Sequence, residues 1–142
     1  ISCREADASD KTITLDLVMK VVKKAVSAAA SAFEPALMTS KELTSKQKKQ
    51  LELLTDKSND IDWESSLLLL TKLVSVHFSQ KVVLLVDEYD GMMNSIDPSR
   101  VNEDALSFVQ NFWMDTCKDN EYLHACILVG VTRYVISGVF NG

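Results

Sequence analysis

Four consecutive residues of this 142-residue chain could do chemistry together: Asp87, Glu88, Tyr89 and Asp90, which follow directly on the apolar run Val82-Val83-Leu84-Leu85-Val86. A second polar pair, Thr132-Arg133, closes another apolar run at residues 125–131. Two neighbouring carboxylates at the end of a buried strand suit phosphate chemistry. The first can help hold Mg²⁺ through water while the second polarises an attacking water a few ångströms away. The competing chemistry is a metal-dependent phosphoesterase that uses Asp87, Glu88 and Asp90 as one cluster. Adjacent residues on a strand face opposite sides, which makes shared ligation by Asp87 and Glu88 awkward.

Positioning these groups requires a parallel sheet. The two runs are continuous and rich in β-branched residues, the pattern of strands buried on both faces. Between them, Leu106, Val109, Trp113 and Cys117 lie on one side of a helix expected from about Asn102 to Lys118. Two apolar strands joined by such a crossover form a right-handed βαβ unit with helices on both faces, so the expected class is α/β. Ligands of open parallel sheets bind beyond the carboxyl ends of the strands, where Asp87, Glu88, Asp90, Thr132 and Arg133 fall.

Three helices are expected upstream. Leu15, Val18, Met19, Val22, Val26, Ala29 and Phe33 step by three and four until Glu34-Pro35, which should end the first helix. Thr44 and Gln47 have capping-box spacing for a second, carrying Leu51 and Leu54 and stopping at Lys57-Ser58-Asn59-Asp60. Asp62 is the expected N-cap of a third, with Leu67, Leu70, Val74 and Phe78 on its apolar side and Ser79-Gln80 as its exit. Lys46, Lys48 and Lys49 read as a solvated face.

Composition narrows the function classes. With 20 acidic and 15 basic side chains the net charge is −5, and no basic stripe marks a surface that neutralises many phosphates, so direct nucleic-acid binding by this segment is not expected. Four glycines and two prolines are too few for collagen, a disordered tail or a turn-dense all-β fold. No run approaches the roughly 18 apolar residues of a membrane span. Residues 1–11 lack the apolar core of a secretory signal, and the three cysteines, Cys3, Cys117 and Cys126, cannot all pair within one chain. The expected setting is intracellular, reducing and cytoplasmic. Cys117 and Cys126 are wider apart than zinc-knuckle ligands and read as core, Trp63 and Trp113 read as packing anchors, and His77 and His124 have no partners at ligand spacing.

The segment Lys81-Val82-Val83-Leu84-Leu85-Val86-Asp87-Glu88-Tyr89-Asp90, then Ile127-Leu128-Val129-Gly130-Val131-Thr132-Arg133, then Ser137-Gly138-Val139-Phe140-Asn141, resembles the predicted AAA-ATPase-like family, a branch of the P-loop ATPases. Members carry an "hDEYD" Walker B segment, a "GVTR" or "GVSR" strand end and an "SG…N" segment in this order. The resemblance covers roughly residues 62–141. It implies ATP and Mg²⁺ as cofactors, Asp87 on the Mg²⁺ side and Glu88 activating water. Thr132 would stand at the γ-phosphate sensor position and Arg133 at a phosphate or sensor contact, while Tyr89 and Asp90 match the motif without an assigned step. Family members often continue into a nuclease-like C-terminal domain.

One element of the family pattern is missing. A P-loop ends in Gly-Lys-Ser/Thr, and none of Gly91, Gly130, Gly138 and Gly142 is followed by lysine. Residues 1–142 are therefore expected to be a fragment of one domain, a partial P-loop-type sheet of about two strands and four helices, with the P-loop upstream and a last strand downstream. Such a fragment would not turn over ATP alone. The alternative is a degenerate ATPase-like scaffold or interaction module.

Overall fold

The computed structural model describes residues 13–89 and 102–130. Three helices come first: α1 (Leu15–Met38), α2 (Ser45–Thr55) and α3 (Ser66–Phe78). They are followed by β1 (Val82–Asp87), α4 (Glu103–Cys117) and β2 (Leu123–Val129). The two strands pair in parallel, with Leu84 opposite Cys126, Leu85 opposite Ile127 and Asp87 opposite Val129. The α/β class follows, and the four helices and two strands among the described residues match the expected count.

Local chemistry explains most boundaries. Thr14 caps α1 by accepting from the Leu17 N–H. Thr44 and Gln47 form the reciprocal capping box of α2, the Gln47 N–H donating to Thr44 Oγ1 at 3.2 Å and the Thr44 N–H to Gln47 Oε1 at 2.9 Å. Asn102 caps α4 through Oδ1, which accepts from the Asp104 N–H at 2.7 Å. Ser79 ends α3 in the left-handed region at φ 52°.

Two helix ends differ from expectation. Pro35 lies inside α1, which runs on to Met38. Only the last turn is affected by its missing N–H, and that turn carries Leu37 into full burial while the Thr39 hydroxyl is placed to donate to the Pro35 and Ala36 carbonyls. Asp62 does not cap α3 directly. It organises a separate turn by accepting from the Glu64 N–H, with Ser65 Oγ 3.1 Å from its other carboxylate oxygen, so the helix starts one turn later, at Ser66.

The core lies between the helices and one face of the sheet. Val18, Val22, Val26 and Leu37 of α1 join Leu51 and Leu54 of α2, Leu67, Leu70 and Leu73 of α3, and Phe108, Val109, Phe112 and Trp113 of α4. Leu84 and Val86 enter this core from β1, with Cys126 and Leu128 of β2 packed against it. The other face of the sheet is bare: Val83, Leu85, Ile127 and Val129 are 52%, 60%, 51% and 56% exposed. Burial on both strand faces is thus corrected for the described residues. All four helices pack on one side, and an unbroken apolar run does not encode whether a second covering layer belongs to the same segment. The second strand also lies two residues earlier than expected, because Leu123 rather than Ala125 pairs first, opposite Val82.

Candidate active site at the carboxyl end of the sheet

β1 ends in Asp87, whose side chain continues the exposed Val83-Leu85 row. Its backbone is still registered with Val129. Glu88 then leaves the strand in the left-handed region, φ 54°, half-buried. A non-glycine residue there costs about 1 kcal/mol, which the surrounding contacts must offset. Those contacts are visible on the next residue: the Tyr89 N–H donates to the Val129 carbonyl at 3.2 Å, resuming the pairing of the two strands.

The Tyr89 ring is 6% exposed and meets Trp113 of α4 edge-on, 6.4 Å between centroids at 89°. Trp113 in turn meets Phe112 at 5.0 Å and 75°. Glu88 therefore lies between the last paired residue of β1 and a tyrosine anchored by both a backbone hydrogen bond and a ring contact. The arrangement presents an exposed carboxylate at the strand end and a second carboxylate on a sharply turned, well-anchored backbone.

The helix that backs this edge, together with Asn120 just beyond it, is tied by polar contacts to α3 and to the turn that precedes α3. Ser65 Oγ lies 2.7 Å from Asp115 Oδ2, Asn111 Nδ2 donates to Glu64 Oε2 at 3.2 Å, and Asn120 Nδ2 donates to Thr71 Oγ1 at 3.2 Å. These contacts join residues about 50 positions apart in sequence and fix the helix that carries Trp113 against the start of α3.

Of the residues singled out from sequence, the structure brings Asp87, Glu88 and Tyr89 to one strand end. Asp90, Thr132 and Arg133 lie outside the described residues, as does Cys3. No group of three or more His, Cys, Asp or Glu side chains arranged to hold a metal ion occurs among the described residues. No helix among them is long and apolar enough to cross a membrane. Trp63 and Trp113 are buried anchors, 3% and 1% exposed.

The two downstream cysteines are not independent core residues. Both are half-buried, and their sulfurs lie 3.1 Å apart across the α4–β2 junction. Nine positions separate them, and no sequence pattern signals the contact. It depends on how the turn after α4, with Asp119 at φ 56°, returns the chain to the sheet.

The family described as predicted AAA-ATPase matches the chain over residues 7–140. Comparison with curated proteins and with solved structures yields no match. The match spans nearly the whole chain and includes the acidic strand end, its parallel neighbour and all four helices. On this evidence the chain belongs to the predicted AAA-ATPase family.

Proposed function

We propose that residues 1–142 are part of an ATP-binding and ATP-hydrolysing domain, with Asp87 and Glu88 as its Walker B acids. The observation that carries this reading is the Asp87–Glu88 pair at the carboxyl end of a parallel strand, with Glu88 fixed at positive φ. That edge is where open α/β sheets bind ligands.

The donor set fits a water-mediated Mg²⁺ site. Mg²⁺ gives up its waters reluctantly and is held by one or two carboxylates together with substrate phosphates, so an exposed carboxylate without a surrounding cage of ligands suits it. Asp87 is such a group. When bound, Mg²⁺-ATP supplies the electrophilic γ-phosphate. Glu88 orients the attacking water and accepts its proton, a role that benefits from a backbone held by Tyr89 on the adjoining position. Thr132 and Arg133, a few positions beyond Val129 on the neighbouring chain segment, serve as the sensor and phosphate contacts. The Gly-Lys-Ser/Thr turn is supplied from outside these 142 residues, since they contain no Gly-Lys pair.

The test uses the longest natural chain containing this domain. Glu88→Gln should retain Mg²⁺-ATP binding and lower turnover by about 100-fold or more, trapping bound nucleotide. Unchanged turnover overturns the assignment of Glu88. If that chain shows no saturable Mg²⁺-ATP binding, the domain is a non-hydrolysing scaffold.

A further inference from the structure

We propose that Cys117 and Cys126 form a redox-responsive dithiol, which a low-molecular-weight disulfide converts to an intramolecular disulfide that clamps the end of α4 to the middle of β2. The sulfurs are already 3.1 Å apart, and a disulfide bond of about 2.05 Å needs roughly 1 Å of further approach. Cys117 is the last residue of α4 and Cys126 lies within the paired part of β2, so both thiols sit on regular elements.

Access is provided by an open cleft of about 570 Å³ lined by both cysteines together with Asp119, Glu121, Leu123 and His124. His124 falls where the strand register shifts: Val82 pairs with Leu123 and Val83 with Ala125, leaving His124 unpaired in the ladder and exposed. The half-buried thiols therefore border solvent. The acidic residues on the cleft wall suit a disulfide with cationic ends.

The two thiols are unequal. The hydrogen bond shared with Cys117, in which either sulfur can donate, lowers the Cys126 thiol below its usual range, outweighing the opposing effect of partial burial. The same bond, with burial and the nearby Cys126 charge, raises Cys117.

The exchange balances with the disulfide RSSR as oxidant. The thiolate of one cysteine attacks one sulfur, forming a mixed disulfide with R and releasing RS⁻, which takes a proton from water. The other cysteine then loses its proton to solvent and attacks the Sγ of the first. The Cys117–Cys126 bond forms, the bond to R breaks, and a second RSH leaves. Two electrons pass from the protein dithiol to RSSR, giving two RSH.

The test uses the full chain carrying Cys3→Ser, treated with cystamine at neutral pH, quenched with N-ethylmaleimide and mapped by mass spectrometry. The expected product has lost both reactive thiols and about 2 Da, with a Cys117–Cys126 cross-linked peptide. Cys117→Ser should stop at a Cys126–cysteamine mixed disulfide. Cys126→Ser should likewise stop at a Cys117–cysteamine mixed disulfide. The proposal is overturned if the folded parent keeps both thiols, or accumulates a lasting mixed disulfide, at cystamine concentrations that oxidise the urea-unfolded chain. Should either variant fail to fold, the parent's peptide map alone decides.

Discussion

The Tyr89 N–H donates to the Val129 carbonyl at 3.2 Å, two residues past the end of β1, and this bond brackets Glu88 between two anchored positions. Asp87 is held by strand pairing and Tyr89 by its hydrogen bond and by Trp113, so the intervening residue has little freedom other than its left-handed turn. The acid proposed to activate water is thereby presented by a rigid backbone.

Truncating the anchor should loosen the whole edge. Tyr89→Ala removes a nearly buried ring from its edge-on contact with Trp113 and should cost about 3–5 kcal/mol in urea unfolding. Tyr89→Phe keeps the ring and should cost no more than about 1.5 kcal/mol. A similar loss in both variants would mean that the hydroxyl, not the ring, anchors this position.

The backbone strain at Glu88 can be isolated by comparing two truncations that remove the same side-chain contacts. Glu88→Gly should be more stable than Glu88→Ala by about 1 kcal/mol, because only glycine takes φ 54° without a Cβ penalty. Equal stability of the two variants, measured by denaturant titration, would remove the left-handed conformation from the argument.

Thr116 is fully buried and its Oγ1 has no hydrogen-bond partner. Thr116→Val substitutes a methyl for the orphaned hydroxyl while keeping the β-branched shape. It should raise stability by about 1 kcal/mol, read as a higher urea midpoint at unchanged m-value. A destabilised variant would show that the hydroxyl is satisfied in solution.

The two faces of β1 should respond oppositely to substitution. Val86→Ala, on the helix-covered face, should cost about 2–3 kcal/mol, whereas Leu85→Lys, at a position 60% exposed, should change stability by about 0.5 kcal/mol or less. Cooperative loss of folding in Leu85→Lys would mean that the bare face is covered after all.

The order of the elements, the fold class and the acids at the strand end were legible without coordinates, because each rests on a local rule. Capping chemistry marks Thr44, Asn102 and Ser79 within a turn of their helices, and a β-branched run ending in Asp87-Glu88 marks both a strand and the abrupt polarity of its tip. Tertiary structure decided the rest. Pro35 stays helical because burying Leu37 outweighs a local preference, and one sheet face is bare because helix placement, not strand composition, determines what is covered. Glu88 at positive φ and Cys117 against Cys126 depend on the parallel register and on the turn after α4. Periodicity and capping act over one or two turns of chain, so they determine elements. Which side chains meet across 9 or 50 residues is determined only when those elements pack.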